Sequence, residues 1–153
     1  MEIIELSKNV NLIDDAIDYF WKYWGNENNY RFYRDCIINS IHNNKILPKF
    51  YVGLDGGQII ASYALLTNDI ISRQDLYPWL ACLYVNSEHR NKGLAEKLLD
   101  HGLSEAAQKG FDCLYLSSDL ENFYERKGWT HIANGYNIFD EEIKIYSKHI
   151  AKA

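Results

Sequence analysis

The chain has 153 residues, 47% of them hydrophobic, 24% charged and 14% aromatic. That length and composition fit one domain with its own core and exclude wholesale disorder, collagen-like sequence and coiled-coil arrays. A net charge of −5 is the wrong sign for a protein that coats nucleic acid, and no apolar stretch approaches the ~20 residues of a membrane span. The start, Met1-Glu2-Ile3-Ile4-Glu5, has neither the basic nor the apolar region of a signal peptide, so a cytoplasmic location is expected.

No repeat, linker or low-complexity tract divides the sequence, and residues 1–153 are read as a single domain. Ile3, Ile4 and Leu6 predict a short opening strand. From about Asn11, the apolar positions Leu12, Ile13, Ala16, Ile17, Phe20, Trp21 and Trp24 recur at helical spacing, and Gly25 ends the helix. Asn28 and Asn29 are expected to cap a second helix that carries Phe32, Tyr33, Cys36, Ile37, Ser40 and Ile41. The period then changes. Residues 50–54, the turn Asp55-Gly56-Gly57 and residues 58–66 predict a β-hairpin.

A polar loop, residues 67–77, leads into Trp79-Leu80-Ala81-Cys82-Leu83-Tyr84-Val85, a run expected to form a strand buried on both faces. After a loop over residues 86–93, Leu94, Leu98, Leu99, Leu103, Ala106 and Ala107 mark a long amphipathic helix ending near Gly110. Residues 113–116 predict a strand, 120–127 a short helix ended by Gly128, and 130–138 with 142–146 a terminal hairpin. The order β-αα-ββ-β-α-β-α-ββ fits an α/β architecture, one mixed sheet flanked by helices. The Trp79 and Cys113 strands should be parallel, because a helix crosses between them.

Chemistry concentrates in Arg90-Asn91-Lys92-Gly93-Leu94-Ala95, a turn between a buried strand and a helix. A helix N-terminus offers unpaired N–H groups and a partial positive charge, a natural seat for phosphate. Gly93 and Ala95 are small enough to let an anion reach those amides, and Arg90 and Lys92 add positive charge at the rim. The segment is neither a phosphate loop ending in Gly-Lys-Ser/Thr nor a GxGxxG fingerprint. Its spacing is short, and its weight comes from the strand-turn-helix setting. Cys36, Cys82 and Cys113 lack ligand spacing and read as reduced thiols. The five histidines are scattered, with no HExxH, so no metal is expected.

Residues 78–99, with Arg90-Asn91-Lys92-Gly93-Leu94-Ala95 at their centre, resemble the acetyl-CoA signature of the GNAT superfamily of N-acetyltransferases, Gln/Arg-x-x-Gly-x-Gly/Ala. Asn122-Phe123-Tyr124-Glu125-Arg126-Lys127-Gly128-Trp129 resembles the family's later Phe-Tyr-x-x-x-Gly-Phe/Trp segment. The two motifs stand in the family's order, and the resemblance covers nearly the whole chain. It implies a GNAT-like fold, and acetyl-CoA as cosubstrate with its pyrophosphate on the amides of the turn formed by Arg90, Asn91, Lys92, Gly93, Leu94 and Ala95. It also implies that backbone groups of Leu83, Tyr84 and Val85 pair with the pantetheine arm, where the Trp79 and Cys113 strands splay apart.

By the same resemblance, Tyr124 is the general acid that protonates the departing thiolate, its phenol having a reference pKa near 10. A primary amine of a small molecule or peptide would attack the thioester directly in a ternary complex, with a backbone N–H near Leu83 facing the oxyanion. Many members place a Glu base on the signature strand, but Trp79–Val85 holds no carboxylate. Asp69 and Asp75 are candidates and the base stays open. The Asn often found seven residues before the tyrosine is Ser117 here. The acceptor is expected near Tyr23, Trp24, Asn26, Asn29, Tyr30 and Tyr33, and the chain's acidity points to a cationic acceptor such as a polyamine, an aminoglycoside or a peptide N-terminus. No nucleic-acid or membrane partner is expected, a homodimer stays open, and a non-catalytic acyl-CoA-binding module is the alternative function.

Overall fold

Helical spacing of Ala16, Ile17, Tyr19 and Phe20 places all four on the buried face of α1, Ile13–Trp24, with Asp14 and Asp15 in its first turn where the helix dipole favours them. A computed structural model describes residues 1–151. The other helices are α2, Tyr30–Ile41, and α3, Leu94–Gln108. The strands are β1, Glu2–Glu5; β2, Lys49–Asp55; β3, Gln58–Leu66; β4, Trp79–Val85; β5, Cys113–Ser118; β6, Thr130–Tyr136; and β7, Glu142–His149. They form one mixed sheet in the order β1-β2-β3-β4-β5-β7-β6. Pairing is parallel between β4 and β5, as the intervening helix requires, and antiparallel for β1 with β2, β5 with β7 and β6 with β7.

The chain divides into two compact units, the first made of Met1–Ala64 with Cys82–Leu98, the second of Leu65–Ala81 with the chain from Leu99 onward. In the first unit, Phe20 of α1 meets Phe50 of β2 edge-on at 5.2 Å between centroids, and Tyr51 stacks on Tyr63 of β3 at 4.4 Å. The hairpin turn between β2 and β3 places Gly56 and Gly57 at φ 56° and 81°, which glycine adopts at little cost. In the second unit, Ile71, Trp79 and Ile145 form a buried cluster flanked by Leu76, Tyr115 and Ile143. The indole Nε1 of Trp79 donates to the Leu76 carbonyl at 2.6 Å, so the loop before β4 is tied to the strand that follows it. That loop also docks on β6: Ser72 N donates to Tyr136 O and Tyr136 N to Ser72 Oγ, both at 2.9 Å.

Three local expectations need correction. The short helix expected over residues 120–127 is a single 3-10 turn, Glu125–Lys127. Asn122 at φ 60° and Gly128 at φ 84° bracket it and leave too few residues for an α-helix. Asn29 precedes α2 but makes no side-chain cap. Its Oδ1 instead accepts from the N–H of Asn26 at 2.7 Å, closing the loop between α1 and α2. Finally, β4 is not buried on both faces throughout. Trp79, Leu80 and Val85 are buried, but the four residues from Ala81 to Tyr84 are only half-buried.

Gly25 ends α1 in extended backbone, so its conformation does not require glycine; its surroundings do. A Cβ there would collide with Trp21 Cδ1 and lie 2.7 Å from Asn29 Oδ1 and 2.8 Å from the Trp21 carbonyl oxygen. Gly25→Ala should therefore lower the unfolding free energy by about 1–3 kcal/mol, read as a lower urea midpoint at unchanged slope.

Candidate active site

The first unit contains the turn that follows β4. Leu83 and Tyr84 are half-buried and Val85 is buried. Cys82, just before them, takes φ 55° inside the strand, and its carbonyl accepts from Ser62 Oγ at 2.9 Å. Beyond Val85, the Asn86 N–H donates to the Ile60 carbonyl at 2.8 Å, while Asn86 Oδ1 accepts from the Tyr19 hydroxyl at 2.6 Å. Burial, with the neighbouring Tyr23 and Tyr84, pushes the Tyr19 phenol above its usual value, so it stays a donor.

Arg90 is bound to the strand it follows. Its Nε donates to the Val85 carbonyl at 3.0 Å, and its guanidinium lies 5.3 Å from the centre of the Tyr84 ring. Tyr84 in turn stacks on Tyr23 of α1 at 3.9 Å between centroids. The charge that Arg90 brings to the turn is therefore fixed in place rather than free at the rim.

Next in the chain, Asn91 and Gly93 take φ 62° and 74°, a conformation asparagine tolerates better than most side chains. The Gly93 carbonyl accepts from Lys97 N at 3.2 Å, which starts α3. The N–H groups of the first helical turn have no acceptor within the helix and carry its positive dipole end. Asn91, Lys92 and Gly93 are exposed and Leu94 and Ala95 half-buried. A Cβ built on Gly93 meets nothing within 4 Å, so the space before these amides is open. Leu83 to Val85 and Arg90 to Ala95 are thus neighbours, a strand end tied by the Arg90–Val85 bond to the exposed turn that opens α3.

The second unit contains Tyr124, 6% exposed, its ring packed edge-on against Phe123 at 4.9 Å and tilted against Tyr146 at 5.4 Å. Burial pushes its phenol up to about 12; a hydrogen bond with Ser118 opposes the shift and Tyr146 adds to it. Tyr124 is thus protonated throughout the neutral range, as a proton donor must be. Its backbone carbonyl accepts from Trp129 N at 3.0 Å, closing the turn that carries it.

The two candidate bases differ. Both oxygens of Asp75 are taken by Arg73, at 2.9 and 2.8 Å, and that pairing holds its carboxyl below the usual range. Asp69 accepts a bond from its neighbour Ile70 N at 2.8 Å, and burial raises its carboxyl above the usual value. Of the two carboxylates, Asp69 is the more basic.

Of the residues expected near an acceptor, Tyr33 donates to the Trp24 carbonyl at 2.9 Å, Tyr30 meets Trp21 edge-on at 5.3 Å and Asn29 bonds Asn26, whereas Tyr23 turns to Tyr84. An open groove beside this junction is lined by Asp18, Trp21, Lys22, Gly25, Asn26 and Glu27. Asp18 and Glu27 were not singled out in the sequence, where isolated acidic residues carry no signal. Among the described residues, no group of His, Cys, Asp or Glu could hold a metal ion, and no helix is long and apolar enough to cross a membrane.

A family model described as acetyltransferase (GNAT) family matches residues 13–129. The chain belongs to that family. Among solved structures it is similar to an aminoglycoside 6′-N-acetyltransferase complexed with coenzyme A, at 16% identity and TM-score 0.73, covering 100% of this chain and 99% of the other. The aminoglycoside 6′-N-acetyltransferase from Enterococcus faecium matches at 17% identity and TM-score 0.72, over 100% and 99% of the two chains. A GNAT family acetyltransferase from Elizabethkingia anophelis with acetyl-CoA bound matches at 13% identity and TM-score 0.66, over 97% of each. These likenesses establish the fold. No curated protein matches the sequence.

The raised phenol of Tyr124 has a consequence for stability. The folded protein keeps, up to about 12, a proton that the unfolded chain loses near its ordinary 10.0. Stability from this group is therefore fully present below pH 10 and disappears as pH rises through 12. Tyr124→Phe should flatten that alkaline limb by about 3 kcal/mol, measured by urea unfolding between neutral and strongly alkaline pH.

Proposed function

We propose that the chain transfers an acetyl group from acetyl-CoA to a primary amine of a small molecule or peptide, by direct attack in a ternary complex. The observation that carries this reading is the open turn before α3, where Gly93 leaves clear the space in front of the helix N-terminal amides. A pyrophosphate fits there on charge and on space, with Lys92 exposed beside it. Acetyl-CoA supplies an activated acyl group as a thioester. The backbone of Leu83 to Val85 holds the pantetheine arm, and the Leu83 N–H is offered to the thioester carbonyl.

Tyr124 delivers a proton to the leaving sulfur. Its phenol, pushed up to about 12, is a weaker acid than an exposed tyrosine, so donation relies on placement more than on acidity. Asp69 accepts the proton of the amine, directly or through water. The acidic chain, net charge −5, and the aminoglycoside acetyltransferases among its structural neighbours support a cationic acceptor.

Thermal unfolding with and without acetyl-CoA tests the cofactor half. At about 100 times Kd the ligand should add roughly 2.7 kcal/mol, several degrees for a domain of this size. Gly93→Trp should abolish the shift, while Gly93→Asn, which tolerates positive φ, should fold and retain part of it. Absence of any shift in the unmodified protein at millimolar acetyl-CoA contradicts the reading. Tyr124→Phe tests the catalytic half: thiol release with a panel of a polyamine, an aminoglycoside and a short peptide should fall about 10²–10⁴-fold in kcat, with acetyl-CoA affinity nearly intact.

A further inference from the structure

Ser62 is fully buried in β3, among Ile60, Ala61, Tyr63, Ala64 and Leu65, where a hydroxyl is costly unless it is bonded. Its hydroxyl donates to the carbonyl of Cys82, 20 residues later in β4, at 2.9 Å. Cys82 is the one residue of β4 at positive φ, 55°. A residue with a Cβ persists in that conformation inside a strand only where its surroundings hold it.

The Cys82 carbonyl and the Leu83 N–H belong to the same peptide unit. That unit is planar and trans, so the oxygen and the N–H point in opposite directions. A bond that fixes the carbonyl toward Ser62 therefore fixes the Leu83 N–H away from β3. The positive φ of Cys82 and the serine bond thus act on that one peptide unit.

We propose that Ser62 is a positioning residue, a latch on the Cys82–Leu83 peptide that aims the Leu83 N–H at the thioester carbonyl. The proposal rests on the acetyl-CoA reading above and adds to it a residue outside both sequence motifs. Ser62 touches no reacting atom and acts only through the peptide it holds.

The test uses the full chain and acetyl-CoA labelled with ¹³C at the thioester carbonyl, read by difference infrared spectroscopy, with affinity measured by calorimetry. In the unmodified protein the carbonyl stretch should move to lower frequency on binding, the signature of a donated hydrogen bond. Ser62→Ala should lose most of that displacement while Kd changes by less than about threefold. Ser62→Thr, which keeps the hydroxyl, should restore it. If Ser62→Ala does not fold, Ser62→Val, which matches Ser62→Thr in shape but has no donor, asks the same question. An undiminished displacement in Ser62→Ala or Ser62→Val overturns the latch while leaving the acetyl-CoA reading intact. No binding of acetyl-CoA by the unmodified protein overturns both.

Discussion

The first N–H groups of α3 have no partner inside the helix, and the surrounding sequence keeps them uncovered. Gly93 stands in open space beside them, where even an added Cβ would meet nothing within 4 Å. Asn91 and Gly93, both at positive φ, bend the chain so that the turn stays exposed ahead of the helix. The apolar β4 strand delivers the chain to this point, and Arg90 ties the turn back to the strand through the Val85 carbonyl.

The wealth of aromatic residues does two kinds of work. In the first unit, Tyr23, Tyr84 and Arg90 form a stack that joins α1 to the end of β4, and Tyr19 adds a hydrogen bond to Asn86. In the second unit, Phe123, Trp129 and Tyr146 enclose Tyr124 and raise its phenol by burial. Rings that lose little conformational entropy on ordering suit both tasks, since each needs a polar atom held at a fixed place.

Much of this was legible in the sequence because it is periodic or local. The leucines of α3, the Asp55-Gly56-Gly57 turn and the apolar run from Trp79 are short-range patterns, and all three became the expected elements. The family resemblance placed the turn and Tyr124, and the matching family model spans both. What escaped depends on single backbone torsions or distant partners. Asn122 at positive φ shortened an expected helix to one turn. Asn29 spent its side chain on Asn26 instead of on α2. Asp75 looked equivalent to Asp69 until Arg73 was seen to occupy both its oxygens. Ser62 gave no signal at all, because a lone serine in an apolar strand reveals nothing about a carbonyl 20 residues away.

Acetyl-CoA is proposed to seat on the backbone at the end of β4 and the start of α3. The most direct measurement is a titration of ¹⁵N-labelled protein with acetyl-CoA, following assigned amide resonances. The amides of Leu83 to Val85 and of Asn91 to Ala95 should move furthest and saturate together, with those of the β2–β3 hairpin turn nearly unmoved. Saturable binding that leaves residues 83–85 and 91–95 unperturbed would contradict the claim.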